Sequence, residues 1–280
     1  MNREDFSLFS RLLRERSGLA IGEEKTYLLE SRLMPVARRR GLAGLEALAA
    51  ALRQPAARDL ERDVVEAMTT NESFFFRDGQ PFQAFRTFIL PRLLAARAAR
   101  RHIRIWSAAC SSGQEPYSLA MILADEAAKL AGWRVELVAT DLSTEILDKA
   151  QAGLYSQFEV QRGLPIQLLV KYFKQQGDRW QIDPAIRSMV SFRQLNLLDD
   201  FAVLGRFDVI FCRNVLIYFD QPTKTLVLDR LSRQMAPDGH LYLGGAETVL
   251  GITDKLQPVP DNRGIYSIAP PVAPLARAAG

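Results

Sequence analysis

Apolar positions recur at three- and four-residue spacing through the front of this chain and do not alternate there. In "REDFSLFSRLLRERSG" Phe6, Phe9, Leu12 and Leu13 share one helical face, which Gly18 ends. "EEKTYLLESRLMPVARRRG" repeats the pattern, with Pro35 placed to kink the helix and Gly41 to stop it. "GLEALAAALRQ" and "ARDLERDVVEAMTT" follow, so residues 1–70 are expected to form an all-helical domain. Residues 71–101 read as a linker and a connecting helix, "PFQAFRTFILPRLLAARAARR", that Pro91 is placed to interrupt.

From residue 102 the period changes. "HIRIWSAA", "RVELVATD", "MVSFRQLN", "RFDVIFCRN" and "HLYLGGAE" are short runs rich in Val, Ile and Phe, and helical stretches separate several of them. Strands alternating with helices predict βαβ units and a parallel sheet, with the binding crevice at the strands' carboxyl ends. "DNRGIYSIA" can add a last, antiparallel strand. An insert over about 153–188 contains "YFKQQGDRWQID", whose Gly-Asp centre between Phe, Trp and Ile predicts a hairpin. The second domain is therefore expected over 102–268, and the Pro/Ala-rich tail 269–280 is expected to be disordered.

Composition narrows the chemistry. The 280 residues are 48% hydrophobic and 24% charged, as in an ordinary globular protein. No apolar run approaches the roughly 20 residues of a membrane helix. The start, "MNREDFSLFSRLLRERSG", is amphipathic and acid-containing, unlike an export signal. With Cys110 and Cys212 as the only thiols, a reducing cytoplasm without a disulfide framework is expected. The only histidines, His102 and His240, stand in no ligand-like cluster, so neither a metal site nor a Ser/His/Asp triad is expected. Residues 1–105 hold 19 Lys/Arg against 13 Asp/Glu, and the rest 17 against 19, which puts the basic excess on the helical front. That excess reads either as a solvated face or as a docking surface for an acidic partner. It is small and lacks a binding motif, so no nucleic-acid partner is expected.

Candidate chemistry collects at the strand ends. "TTNESFFFRD" surrounds three phenylalanines with Asn71, Ser73 and Arg77, a pattern that suits a polar ligand held against an apolar wall. The phenylalanines are expected to pack the helical domain against the sheet domain. The first strand ends in "SAACSSGQEPYS", which has one glycine and no Gly-x-Gly-x-x-Gly, so the close backbone approach of a dinucleotide pyrophosphate is disfavoured. Glu115 there would repel a phosphate and attract an amine, or simply satisfy a helix N-terminus. Asp141, ending "ATD", is placed to accept from ribose hydroxyls, a role compatible with capping the next helix. A ribose and a free amine without phosphates describe S-adenosylmethionine. Cys110 and Cys212 fall near the ends of strands expected to be neighbours and read as buried thiols, not nucleophiles.

"MTTNESFFFRD", "AACSSGQEPYSLAM", "ATDLS", "FRQLNLLDD" and "FDVIFCRNVLIYF", in this order over about residues 5–268, resemble the CheR family of chemotaxis receptor methyltransferases. The resemblance implies an α/β fold: a Rossmann-like S-adenosylmethionine methyltransferase sheet, an all-helical N-terminal domain and a small antiparallel β-subdomain as the insert. It implies transfer of a methyl group to chemoreceptor glutamates, giving methyl esters and S-adenosyl-L-homocysteine. It places Asn71, Ser73, Arg77, Glu115, Asp141, Asn196, Leu197, Arg213 and Asn214 at the cofactor, and Arg77 and Tyr218 nearest the reaction. The family often has Thr at Ser73, which keeps the hydroxyl, and Glu at Gln114, which leaves Glu115 alone to meet the cofactor's charged end. The expected partners are the cytoplasmic helical region of membrane chemoreceptors and, through the β-subdomain in some members, a receptor C-terminal peptide. A monomeric cytoplasmic enzyme without membrane insertion is expected. Arg32, Arg38, Arg39 and Arg40, on or just past one predicted helix, are the candidate receptor-docking group.

Two other readings stay open at this point. One is a cofactor-binding regulatory or scaffold protein that has lost activity, against which Arg77 and Tyr218 argue. The other is a methyltransferase for nucleic acid or a small molecule, which "CRNVLIYF" disfavours, since amino-methylating branches commonly carry an Asn/Asp-Pro-Pro-Tyr-type signature there.

Overall fold

The computed structural model describes residues 1–270. The helical spacing of the front half becomes four helices around one core. They are α1 (Arg3–Ser17), α2 (Thr26–Arg39), α3 (Leu45–Leu52) and α4 (Arg58–Met68). Asn2 caps α1 by accepting from the Asp5 amide, and Gly18 ends it with φ 76°. Phe9, Leu13, Leu29, Leu33, Leu48 and Val64 are fully buried between these helices. The helix α2 runs on through Pro35.

The connecting segment is α5 (Gln80–Ala84), a π-helical turn over Phe85–Ile89, and α6 (Leu90–Ala96). Pro91 has no amide to give the carbonyl one turn back, and the π turn directly before it absorbs that mismatch. The remaining elements follow in this order. They are β1 (His102–Ala108), α7 (Gln114–Asp125), β2 (Arg134–Asp141), α8 (Thr144–Ala152), β3 (Leu154–Ser156), α9 (Gln157–Gln161), α10 (Ile166–Tyr172) and β4 (Phe173–Gln176). Then come β5 (Arg179–Ile182), α11 (Pro184–Ser188), β6 (Val190–Gln194), β7 (Phe207–Cys212), α12 (Gln221–Gln234), β8 (Met235–Tyr242), β9 (Leu256–Pro258) and β10 (Ile265–Ile268).

The large sheet has the order β6-β2-β1-β7-β8-β10-β9. Its first five strands are parallel, and β10 joins β8 antiparallel, as expected for a closing strand. The edge strand β9 was not foreseen, because three residues ending in proline carry no alternation to detect. All six residues of the central β7 are buried, which is why "FDVIFC" reads as a nearly unbroken apolar run. The chain leaves β1 for β2 on one side and later returns to β7 on the other. The crevice of such a sheet opens at that reversal, beyond the strands' carboxyl ends.

The insert is a three-stranded antiparallel sheet, β3-β5-β4, with β4 and β5 forming the expected hairpin across Gly177 and Asp178. Its short helices α9, α10 and α11 were not foreseen, since runs of five to seven residues are too brief to show a helical period.

The phenylalanines correct one expectation. Phe75 is fully buried with its ring edge-on to Tyr155 and Phe173 of the insert, at 5.0 and 5.5 Å between centroids. Phe76 meets Phe82 at 5.4 Å. Neither packs in the core of the four N-terminal helices, so these rings pin the linker to the sheet and its insert instead. Backbone geometry enforces this, because Phe76 and Asp78 both adopt positive φ (50° and 69°) and fold the linker back. The Pro/Ala-rich tail lies outside the described residues from 271 on, while the Ala269 amide donates to the Lys255 carbonyl.

Candidate active site

A cleft opens at the carboxyl ends of β1, β2, β6 and β7. The linker and the turn after α1, through Ser17 and Leu19, form its other wall. That wall is tied to the sheet by several bonds. Ala20 N donates to the Tyr218 carbonyl at 2.9 Å, Asn196 Nδ2 to the Arg16 carbonyl at 2.6 Å, and Thr144 N and Oγ1 to Glu66 at 3.0 Å. Arg14 pairs with Asp220.

Asn71, Ser73, Arg77, Glu115, Asp141, Asn196, Leu197, Arg213, Asn214 and Tyr218 all line this cleft. They come from five separate segments, brought together by the strand order. Glu115 stands in the first turn of α7, after the tight loop of Ala109 to Gly113. Its Oε1 accepts from Ser107 Oγ at 2.8 Å and its Oε2 from Arg213 Nη1 at 3.1 Å. Burial pushes the Glu115 carboxyl above the usual carboxylate range, against the pull of the Arg213 guanidinium. Asp141 ends β2 and is also pushed up by burial, although it accepts from the amides of Ser111 at 2.8 Å and Ser143 at 3.1 Å. Burial likewise raises both thiols, Cys110 and Cys212, well above their ordinary range, so neither is a nucleophile at neutral pH.

Arg213 is the hub. Besides Glu115 it donates through Nη2 to the Arg77 carbonyl at 3.0 Å and to Asp78 Oδ2 at 2.6 Å, and its Nε is buried without a partner among the described residues. Its side chain therefore joins the linker to α7 before it offers anything to a ligand. Asn196 is similarly committed, bonded to Arg16 on one side and accepting from the Leu198 amide on the other. Arg77 Nη1 donates to the Glu72 carbonyl at 3.0 Å, leaving the rest of its fork to the cleft. Gln114 is buried, accepts from Ser112 Oγ at 2.8 Å and is not among the residues that line the cleft.

Strain gathers at this place. Of seven non-glycine residues with positive φ among the described residues, five (Phe76, Asp78, Ala109, Ser111 and Asn214) belong to the linker and to the loops after β1 and β7. Each costs roughly 1 kcal/mol, and such geometry persists only where surrounding bonds hold it. For Asn214 the holding group is Glu247, which was not singled out from the sequence. Its carboxylate accepts from the amides of Asn214, Val215, Leu216 and Gly244 at 2.6–2.9 Å. A Cβ at Gly244 would lie 2.6 Å from the Asn214 side chain, so glycine is required for this approach. The only signal was an acid two residues past a pair of glycines at the end of an apolar strand, in "LYLGGAE". Glu247→Gln is expected to set an amide donor against these donors and cost about 1–3 kcal/mol of stability. A lower urea midpoint at unchanged slope would show it, and an unchanged midpoint would refute the role.

The predicted docking arginines do not form one free group. Arg32 Nη1 and Nη2 are bound to the carbonyls of Met68 and Thr69 and to Thr70 Oγ1, at 2.8–3.2 Å. Arg40 pairs with Asp63, while Arg38 and Arg39 are exposed. Arg32 is thus a strut under the linker, because α4 returns the chain to α2 at that point.

The donor set suits S-adenosylmethionine. One buried carboxylate stands in the first turn of α7, a second ends β2, and among the described residues no glycine-rich phosphate cradle is present. Among the described residues no helix is long and apolar enough to cross a membrane.

Two family matches cover nearly the whole chain: CheR methyltransferase, SAM binding domain, over residues 71–265, and CheR methyltransferase, all-alpha domain, over residues 4–69. Chemotaxis protein methyltransferase 1 of Pseudomonas aeruginosa is 45% identical over 268 residues, covering 93% of this chain and 96% of that protein. Chemotaxis protein methyltransferase Cher2 of Pseudomonas putida is 41% identical over 265 residues, covering 93% and 96%. Chemotaxis protein methyltransferase 1 of Vibrio cholerae is 40% identical over 265 residues, covering 94% and 95%.

Proposed function

The chain belongs to the CheR methyltransferase family, and on that premise we propose that its cleft converts glutamate side chains of membrane chemoreceptors into methyl esters. It is a methyltransferase that uses S-adenosylmethionine, which supplies a methyl group activated on a sulfonium. The observation that carries the finer reading is the meeting in one cleft of Arg77 and Tyr218 with the buried carboxylates Glu115 and Asp141.

In this reading Glu115 holds the cofactor's ammonium and Asp141 its ribose hydroxyls. Asn71, Ser73, Asn196, Leu197 and Asn214 complete the surround, and Arg213 contributes by fixing Glu115 and the linker. A substrate glutamate, with an ordinary pKa near 4.3, is already ionised at neutral pH, so no general base is needed. That agrees with a cleft lined by no histidine. The reaction neutralises opposite charges, so the protein's work is to orient the carboxylate and exclude water. Arg77 and Tyr218 are the orienting groups.

Incubation with methyl-labelled cofactor and receptor-containing membranes tests the assignment. Base-labile label on receptors is the expected result. Label on nucleic acid, or cofactor binding without transfer, would overturn it. A receptor C-terminal peptide could add to the insert, where β3 and β4 are edge strands, and titration with such peptides tests that part.

Receptor docking is assigned to Arg38 and Arg39, with Arg32 in a different role. Arg38→Ala with Arg39→Ala is expected to lower receptor methylation, more so at low salt, and to spare cofactor affinity. Arg32→Ala is expected to weaken cofactor binding too, because Thr69 and Thr70 line the cleft. Equal effects of all three on cofactor affinity would refute the division.

A further inference from the structure

Besides the packing of Phe75, the insert meets the linker through Gly163 and the residue before it. Gly163 there has φ +86°, and a Cβ on it would lie 2.1 Å from the Phe75 carbonyl oxygen, so only glycine permits the contact. The preceding residue, Arg162, is thereby laid on the linker. Its guanidinium lies 4.5 Å from the centre of the Phe74 ring and donates to Glu72 Oε1 at 2.5 Å. The Arg77 guanidinium lies 5.3 Å from the centre of the same ring and donates to the Glu72 main-chain carbonyl at 3.0 Å.

Two guanidiniums therefore flank one aromatic ring beside the cleft, Arg162 bonded to the Glu72 carboxylate and Arg77 to the main-chain carbonyl of the same residue. Arg162 holds the Glu72 carboxyl below the usual carboxylate range, so at neutral pH the trio keeps one surplus positive charge. The side chains of Arg162 and Glu72 are 41% and 56% exposed, open to an arriving ligand.

On the reading that the substrate is a chemoreceptor glutamate, we propose that Arg162 binds a second carboxylate of the substrate, beside the one being methylated, and that Glu72 is its built-in competitor. Glu72 occupies Arg162 until a substrate carboxylate displaces it. The exchange of one carboxylate for another leaves the charge balance of the cluster unchanged. Phe74 keeps the guanidinium flat and in place meanwhile, so the fork is already oriented when the substrate arrives. A substrate with a neutral or basic neighbour would have nothing to put in Glu72's place, which makes the cluster selective for acidic segments.

Kinetics of methyl transfer to receptor-containing membranes test this in wild type, Glu72→Gln, Arg162→Ala and the double variant. Glu72→Gln is expected to lower the receptor KM about fivefold, the scale of one exposed ion pair, and Arg162→Ala to raise it by about as much. In the Arg162→Ala background Glu72→Gln should change nothing further. Calorimetric binding of S-adenosylmethionine to each variant verifies that the cleft is folded. An unchanged or raised KM in folded Glu72→Gln would overturn the role, as would an equal gain in both backgrounds, which diffuse electrostatics would give. Wild-type enzyme that binds cofactor but leaves receptors unlabelled would overturn the substrate reading itself, and this role with it.

Discussion

Arg77→Lys is expected to transfer methyl groups roughly a hundredfold more slowly than wild type at saturating cofactor, although it keeps the charge. A guanidinium does not serve as a base under physiological conditions, so Arg77 moves no proton. Nor would a tight grip on the attacking oxygen help, since it would favour the ionised ground state over the charge-neutralised transition state. The role proposed for it is orientation, and its surroundings are held in a way that suits that role. The Arg77 carbonyl is held by Arg213, its Nη1 by the Glu72 carbonyl, and the residues on either side of it, Phe76 and Asp78, are locked at positive φ. A lysine reaches the same place with a point charge and no fixed plane, and small misplacement at a reacting centre costs about that factor. Arg77→Ala should be at least as slow. Tyr218→Phe removes one neutral hydrogen bond and should cost only about 3–10-fold. Single-turnover transfer measures all three, and a wild-type rate for Arg77→Lys would show that charge alone suffices.

Glu115→Gln is expected to weaken S-adenosylmethionine binding by roughly 10–150-fold, the loss of hydrogen bonding to a charged group. The variant should also lose stability, because Arg213 is left buried with only the half-exposed Asp78 as a charged partner. The pH dependence carries a sign of its own. Burial raises the Glu115 carboxyl, so the folded protein holds this proton more tightly than the unfolded chain does. Its contribution to folding is full below the unfolded carboxylate value and is lost as pH rises through the folded one. Cofactor binding is expected to run the opposite way, since the ammonium assigned to Glu115 in the proposed site needs the ionised form. Affinity should therefore weaken as pH falls through the raised value, up to about tenfold per unit, with one proton released for each cofactor bound. Asp141 is raised too, but in the proposed site it meets uncharged ribose hydroxyls, so it should not produce this dependence. Calorimetry in buffers of different ionisation enthalpy counts the proton. Proton release that persists in folded Glu115→Gln would assign it to another group.

The alternation of period was enough to read the parallel sheet, the hairpin of the insert and the helical front, because each depends on neighbours within a turn or a strand. It was enough, too, to put Asp141 at a strand end and Glu115 at the mouth of the helix that follows one, since a parallel sheet always opens its crevice there. The sequence could not show what a polar side chain would find far along the chain. Arg32 reads as a solvated helix residue until α4 brings Met68 and Thr69 under it, 36 and 37 positions later. Arg213 reads as a ligand group until the fold places Asp78 and Glu115 against it, 135 and 98 positions away. Glu247 reads as the end of a strand until its carboxylate meets three successive amides of the loop after β7. Phe74, Phe75 and Phe76 look equivalent, yet one is buried, one half-buried against Phe82 and one flanked by two arginines. Local spacing determined which elements form and where the cleft opens. Tertiary packing alone decided which charges are spent inside the protein and which are left for a ligand, because a buried polar group is satisfied by whatever the fold brings within hydrogen-bonding distance.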